Sequence, residues 1–278
     1  RLWTIPRPLI ESLQQGATMT DTKHAAVTRR AALTGMAVLG MPSVSKAQKL
    51  DPRVLRFIPN TGLTVLDPVW TASLVTGNHA YHVFDTLYGT GSDWKPVPQM
   101  ASGHTVEDDW KTWTVKLRDN LWFHDGTPVL ARDCVASIER WAKRDSFGAS
   151  MMLVADKLEA VDDKTIRFRF KRRFTRLLEA LARTSALPCM IMPERFARTD
   201  AYTALKEMVG SGPYRFVADE FNAGSRVVYA KFDKYVPRQE AADRTAGGKV
   251  AHFERVEWHT MPDPGTAIAA MRSGEMDW

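Results

Sequence analysis

Cysteine is scarce in this chain, which has only Cys134 and Cys189 among its 278 residues. Two cysteines allow at most one disulfide bridge, so the fold cannot depend on a network of disulfides. Cys134 falls on the apolar side of a predicted helix and Cys189 within the apolar run 187–192, and a free cysteine behaves as a small core residue. The pattern therefore favours two buried free thiols over one disulfide.

Long apolar runs are also absent. The longest candidate, Ala31 to Met41, is interrupted by threonine and glycine and is followed at once by Pro42. A transmembrane helix needs about 18 consecutive apolar residues or more. The sequence therefore predicts no membrane-spanning helix.

The motifs of covalent catalysis and of phosphate binding are missing as well. No Gly-x-Ser-x-Gly elbow occurs, and the segment 210–212, Gly-Ser-Gly, has the wrong frame and precedes a proline that stiffens a turn. The segment 89–91, Gly-Thr-Gly, lacks the Gly-Lys-Ser/Thr that completes a phosphate loop. These absences argue against an enzyme.

Two histidine motifs have the residue types of a metal or catalytic site. His79 and His82 are spaced for one face of a helix, but no third ligand lies near them, so we expect two surface histidines. His124-Asp125 is followed by Gly-Thr-Pro, a sequence typical of a rigid β-turn. We therefore predict structural roles for His124 and Asp125, with no catalytic residue, no metal and no cofactor.

The net charge of +6 is unevenly distributed along the chain. Residues 1–47 contain six Lys or Arg against Glu11 and Asp21, which gives +4 and leaves only +2 for the rest. A basic cluster over 167–176 lies outside any nucleic-acid motif and is interpreted as a solvated face. The sequence therefore predicts no nucleic-acid partner.

The order of features over 19–47 is that of a signal peptide. Arg29 and Arg30 precede a short apolar stretch, and Ser45 and Ala47 are the small residues that signal peptidase requires, so we expect cleavage near Ala47. The segment around Arg29 also resembles a twin-arginine motif, which leaves twin-arginine and Sec export as alternatives. The expected compartment is the periplasm.

Residues 1–18 are interpreted as a non-native upstream extension. They contain no methionine, precede the candidate start at Met19 and have neither helical nor strand periodicity. They are excluded from the predicted fold.

Hydrophobic periodicity in the remaining chain predicts strands that alternate irregularly with helices. Strands are predicted over 54–59, 113–117, 158–161, 165–170, 226–232 and 253–260, and the strands over 158–161 and 165–170 flank a short turn as an antiparallel hairpin. Helices are predicted over 71–88, 131–143, 176–183, 200–208 and 266–272. The first has Leu74, Phe84, Leu87 and Tyr88 spaced for one buried face, and the last is stopped near Gly274. This order is typical of a mixed α/β protein.

Four segments together resemble a known family. The most specific runs from Trp113 to Arg140 and contains Leu-Trp-Phe-His-Asp-Gly-Thr-Pro-Val. The others agree with it in order and spacing: Leu66-Asp67-Pro68 with 83–88, the glycine turn 210–214, and 261–277 with its closing Gly-Glu-x-Asp. From about residue 53 onward the chain resembles the family 5 extracellular solute-binding proteins, which include the dipeptide and oligopeptide receptors of bacterial ABC importers.

The resemblance implies a periplasmic-binding-protein-like fold of type II, in which two lobes close on a ligand around a hinge. The chain would supply mostly the first lobe, with an opening part over 48–80, an extra subdomain over 81–196 and a continuation over 197–278 that is truncated before the second lobe. By the same resemblance, the complete protein is a monomeric receptor that delivers peptides or a similar small solute to ABC permease subunits in the inner membrane.

The resemblance also implies a ligand-binding site. The family's contacts map onto the loop after the first strand, at Thr61, Gly62, Leu63 and Thr64, and onto Trp278. Two interpretations of Trp278 stay open, because it could stack on a ligand or pack within a hinge strand. The alternative function is a secreted hydrolase whose catalytic residues lie in a missing C-terminal half.

Overall fold

The computed structural model describes residues 51–184 and 187–278. The expected signal peptide over 19–47 and the upstream extension over 1–18 lie outside the described residues. The strands are β1 (Val54–Phe57), β2 (Asp85–Thr86), β3 (Tyr88–Thr90), β4 (Pro96–Pro98), β5 (Ala101–Glu107), β6 (Thr112–Leu117), β7 (Ala155–Asp162), β8 (Thr165–Phe170), β9 (Met190–Ile191), β10 (Tyr214–Phe216), β11 (Arg226–Lys231) and β12 (Arg255–His259). The α-helices are α1 (Leu74–Val83), α2 (Ala131–Ala142), α3 (Ser146–Val154), α4 (Leu177–Leu181), α5 (Glu194–Ala197) and α6 (Pro264–Ser273).

The first four-stranded sheet, which we call the lobe sheet, has the strand order β1-β12-β11-β10. β1 and β12 are parallel, with Val54 opposite Arg255, whereas β12, β11 and β10 are successively antiparallel. In β12 the buried side chains Val256 and Trp258 alternate with more exposed polar ones, as expected of a strand with one buried face. Helix α1 covers that face, and its Val83 joins the same apolar core.

The second four-stranded sheet, which we call the subdomain sheet, has the order β5-β6-β8-β7 and is antiparallel throughout. It contains the predicted hairpin, in which Leu158 lies opposite Phe168. Phe168 and Phe170 are buried on one face, and helix α2 packs Ile138 and Trp141 into the same core. The mixed α/β class and the hairpin are therefore as the sequence predicted.

The predicted helix over 71–88 was too long. Helix α1 ends at Val83, and the chain continues as the short strands β2 and β3. β2 pairs with β9, which is about a hundred residues later in the chain, and β3 forms a hairpin with the nearby β4, so strand pairing holds this segment extended. Leu74, which was expected on the buried face, is 67% exposed.

The predicted helix over 200–208 was also wrong. This segment wraps around the buried ion pair between Asp67 and Arg140. The Leu205 amide donates to Asp67 Oδ2 at 3.0 Å, and Arg140 Nη2 donates to the Thr203 carbonyl at 3.1 Å. These hydrogen bonds use backbone groups that a helix would need for its own ladder. The segment therefore forms turns.

Helix α6 ends near Gly274, as the sequence predicted, and begins two residues before the predicted start at 266. The Asp263 carboxylate accepts from the Thr266 amide at 3.0 Å and caps the first turn. Gly274 follows the last turn with φ +75°, in the left-handed region where glycine is favoured. Among the residues that the structure describes, no helix is long and apolar enough to cross a membrane.

Both cysteines are buried free thiols, as the sequence favoured. Cys134 lies on helix α2, and Cys189 immediately precedes β9. Burial raises the pKa of both thiols, because it disfavours the charged thiolate. They therefore act as small core side chains.

Candidate functional site

The carboxyl ends of the parallel strands of the lobe sheet meet at one edge. Trp278 lies beside β1, where its amide donates to the Arg56 carbonyl at 3.1 Å and its carbonyl accepts from the Ile58 amide at 2.7 Å. This alternation is the hydrogen-bond pattern of a parallel pair. Trp278 therefore pairs with β1 on the side opposite β12. The backbone at Trp278 runs parallel to β1.

The loop 61–64 starts from the same edge, only three residues after Ile58. Thr61 and Thr64 are exposed, Gly62 is half-buried, and the side chain of Leu63 is buried in the core. The structure thus brings Trp278 and the loop to one end of the sheet, which we call the carboxyl edge. In open α/β sheets, ligands bind at the carboxyl ends of strands.

A glycine contact fixes the backbone of this loop. The Gly224 amide donates to the Leu63 carbonyl at 2.7 Å, and Gly224 has φ +76°. A Cβ on Gly62 would lie only 2.2 Å from the Gly224 carbonyl oxygen. The close approach therefore requires glycine at position 62, and the positive φ favours glycine at position 224.

The Trp278 indole is 72% exposed. Its ring packs edge-on against Phe57, with the ring centroids 5.8 Å apart and the planes at 74°. One edge of the indole is thereby supported while much of its surface stays accessible to a solute.

Trp278 also lines a groove of about 480 Å³ between β1, β12 and helix α1. We call it the aromatic groove, because it is lined by the rings of Phe57, Tyr81, His82, Tyr214, Trp258 and Trp278. Two cationic residues, Arg244 and Lys249, also line it. The residues of the loop 61–64 do not line this groove, which lies beside the carboxyl edge and shares Trp278 with it.

The buried carboxylate of Asp85 forms an ion pair with Lys249 at the groove. Asp85 Oδ1 lies 2.7 Å from Lys249 Nζ, and Asp85 Oδ2 accepts from Tyr235 Oη at 3.1 Å and from Gln99 Nε2 at 3.2 Å. Burial and the neighbouring Asp85 charge raise the pKa of Tyr235, so its hydroxyl stays protonated as a donor. The Lys249 charge is therefore neutralised within the protein.

Sequence reasoning missed this network and the aromatic groove. Asp85 is a lone carboxylate in the apolar run 83–88, which is a signal for a buried, paired charge. Its partners, Gln99, Tyr235 and Lys249, are distant in sequence, and no local pattern joins them.

His79 is fully buried and His82 is half-buried at the aromatic groove, which corrects the expectation of two surface histidines. His79 Nδ1 lies 2.9 Å from Tyr229 Oη, and the His82 ring stacks on Tyr229 with centroids 4.8 Å apart. The face of α1 that carries both residues packs against the lobe sheet. Burial lowers the pKa of His79 to about 3 and also lowers that of His82. Within the described ranges, no group of three or more His, Cys, Asp or Glu is placed to hold a metal ion.

His124 and Asp125 form the predicted turn. Asp125 Oδ1 accepts from the Thr127 amide at 2.9 Å, and His124 Nε2 donates to the Gly212 carbonyl at 3.0 Å. The Gly210 amide approaches His124 Nδ1 at 3.4 Å, so the imidazole joins this turn to the glycine turn 210–214. Both side chains have structural partners.

A comparison with family models decides the assignment. Residues 95–278 match the model described as "Bacterial extracellular solute-binding proteins, family 5 Middle". The chain belongs to this family. The matched region includes the subdomain sheet from β5 onward, the glycine turn 210–214, β12 and Trp278.

Curated relatives match most of the chain. It is 39% identical over 254 residues to a Sinorhizobium fredii protein named "Probable peptide ABC transporter periplasmic-binding protein", covering 90% of this chain and 47% of that protein. It is 28% identical over 214 residues to the glutathione-binding protein GsiB of Pectobacterium atrosepticum, covering 76% of this chain and 39% of that protein. The chain thus spans less than half the length of these curated relatives.

Solved structures show the same fold. The periplasmic binding protein AgaA of A. tumefacien, in complex with agropinic acid, superposes with a TM-score of 0.64 at 25% identity, covering 81% of this chain and 43% of that one. NikA of Brucella suis superposes with a TM-score of 0.66 at 21% identity, covering 82% of this chain and 43% of that one. The described fold is therefore part of a type II periplasmic-binding-protein fold.

Proposed function

We propose that the chain is part of an exported solute-binding receptor of an ABC importer, which captures peptides or a similar small solute. Its membership of family 5 and the names of its curated relatives support this function. The observation that carries the proposal within this chain is the meeting of the loop 61–64 with Trp278 at the carboxyl edge. A receptor of this kind would deliver its solute to ABC permease subunits in the inner membrane and would work as a monomer in the periplasm.

In this proposal, residues 48–80 and 197–278 form most of a first lobe, and residues 81–196 form its extra subdomain. A second lobe, in the part of the family's length that this chain does not span, would close over the carboxyl edge. Ligand sites are concave and bury most of the ligand surface, so one wall alone gives weak binding. The complete protein is therefore the species to test.

The proposed ligand contacts are Thr61, Gly62, Leu63, Thr64 and Trp278. The exposed Trp278 ring offers a stacking surface, and the Thr61 and Thr64 hydroxyls offer hydrogen bonds. Gly62 and Leu63 act through their backbone, which the contact with Gly224 fixes in position. Neither a cofactor nor nucleic acid takes part.

The test uses protein expressed from the complete gene, incubated with a library of dipeptides to pentapeptides. A receptor is stabilised saturably by its ligand, by about 2.7 kcal/mol when free ligand is a hundredfold above its Kd. Mass spectrometry of the same samples should recover the peptide intact. Conversion of the peptide to shorter products would support a hydrolase, an alternative that the comparisons do not support.

A further inference from the structure

The two cations of the aromatic groove differ in their partners. Lys249 Nζ is held 2.7 Å from the Asp85 carboxylate. Arg244 lies on the exposed side of the groove and, among the residues of 51–184 and 187–278, has no carboxylate within ion-pair distance. None of the groove-lining residues in these ranges is an aspartate or a glutamate. The groove therefore has one unpaired positive charge.

Arg244 is held in place by an aromatic partner. Its guanidinium carbon lies 3.9 Å from the centroid of the Trp94 ring, within the range of a cation–π interaction. Stacking leaves the N–H groups around the guanidinium edge free to donate to a carboxylate. The charge is thus oriented before any ligand arrives.

The backbone at both stacked residues is unusual. Arg244 has φ +52° and Trp94 has φ +64°, in the left-handed region that residues with a Cβ rarely adopt. The loop around Arg244 is fixed by Asp243, whose Oδ1 and Oδ2 accept from the Ser92 amide at 2.9 and 3.0 Å. Strained backbone persists where the surrounding structure enforces it, and such positions cluster at ligand clamps.

We infer that the aromatic groove binds an apolar group bearing a carboxylate, with Arg244 as the carboxylate anchor and Tyr81, His82 and Trp278 around the apolar group. The inference rests on the proposed receptor function and specifies the chemistry of its solute. Charge complementarity favours this occupant, because Arg244 and Lys249 line the groove, no described aspartate or glutamate does, and Lys249 is already paired with Asp85. A peptide that ends in a free aromatic residue, such as Ala-Ala-Phe, has the required groups.

The experiment titrates protein from the complete gene with Ala-Ala-Phe and with its C-terminal amide by isothermal calorimetry. The wild type should bind the free acid at least about tenfold more tightly than the amide, because only the acid pairs with the guanidinium. Arg244→Gly should weaken binding of the acid to the level of the amide and leave the amide within about twofold. Glycine is favoured at this φ, so the variant should melt no lower than the wild type.

Asn120→Gly is the matched control. Asn120 also has positive φ, at +58°, but does not line the groove, so its replacement should leave both affinities unchanged. Equal binding of acid and amide by the wild type, or an acid preference that survives Arg244→Gly, would overturn the anchor and leave the receptor function standing. Binding of neither peptide by the wild type would contradict both the anchor and the proposed peptide class. A crystal structure of the complete protein with the groove filled by its own side chains would also overturn the inference.

Discussion

The guanidinium of Arg140 and the carboxylate of Asp67 form a buried, two-pronged ion pair, with Nη2–Oδ2 at 2.8 Å and Nη1–Oδ1 at 3.2 Å. The two side chains are 1% and 0% exposed. Asp67 belongs to the segment that follows β1, whereas Arg140 lies on helix α2, which packs on the subdomain sheet. The pair therefore joins two of the segments through which the sequence resembles its family.

Removing one partner of this pair should be costly. Asp67→Asn leaves the Arg140 charge buried without a counterion, and we expect a loss of about 3–5 kcal/mol in the free energy of unfolding in urea. Arg198→Met is the control, because it breaks exposed ion pairs with Glu139 and Glu194 and should cost at most about 1 kcal/mol. Similar losses in the two variants would contradict a special role for the buried pair.

Two substitutions in the loop 61–64 should differ in their effect on stability but should both lower ligand affinity. Gly62→Ala places a Cβ 2.2 Å from the Gly224 carbonyl oxygen, so it should cost about 1–3 kcal/mol of stability and displace the loop. Thr61→Ala changes an exposed side chain and should alter stability by less than about 0.5 kcal/mol. Peptide affinity should fall in both variants, and a Thr61→Ala protein with wild-type affinity would remove Thr61 from the proposed contacts.

His124 should act on stability rather than on binding. His124→Ala removes the donor to the Gly212 carbonyl, and we expect a loss of about 1–3 kcal/mol in thermal or urea unfolding with peptide affinity unchanged. Asp125→Asn, which keeps an acceptor for the Thr127 amide, should cost less. A His124→Ala protein with wild-type stability and lost affinity would instead place His124 in the ligand site.

Acid should destabilise the protein through His79. Burial lowers the pKa of His79 in the folded state to about 3, so the unfolded chain binds the proton first as the pH falls below about 6.5. The contribution of neutral His79 to the free energy of unfolding is therefore complete above about pH 6.5. It should decline by roughly 2 kcal/mol between pH 7 and pH 5. The measurement is urea unfolding at both values.

His79→Phe should remove that part of the pH dependence. Tyr229→Phe deletes the same hydrogen bond but keeps the imidazole, so it should retain the full decline. An equal decline in the His79→Phe protein would show that other groups cause the acid sensitivity.

Local patterns in the sequence were enough to predict the elements that depend on neighbouring residues. The hairpin of β7 and β8 follows from period-two alternation around a short turn, and the end of helix α6 follows from Gly274. Residues 84–90 could not be assigned in this way, because their apolar spacing also fits a helix. Pairing with β9 and β4 makes them extended instead.

The candidate site could also be predicted only in part, because tertiary contacts bring its residues together. The resemblance supplied Trp278 and the loop 61–64, but their meeting at one edge requires the hydrogen bonds between Trp278 and β1. The aromatic groove combines α1, β1, β12 and the loop around Arg244, so no single stretch of sequence reveals it. The orientation of Arg244 over Trp94 is likewise a tertiary contact.

The most direct measurement is calorimetric titration of the complete wild-type protein and its Trp278→Ala variant with a peptide that stabilises the wild type. If the carboxyl edge is one wall of the ligand site, loss of the indole should weaken binding at least about tenfold with little change in melting temperature. Tyr202→Ala removes another exposed aromatic ring, outside the lobe sheet, and should leave binding intact. Wild-type affinity in the Trp278→Ala protein would contradict the placement of the ligand site at this edge.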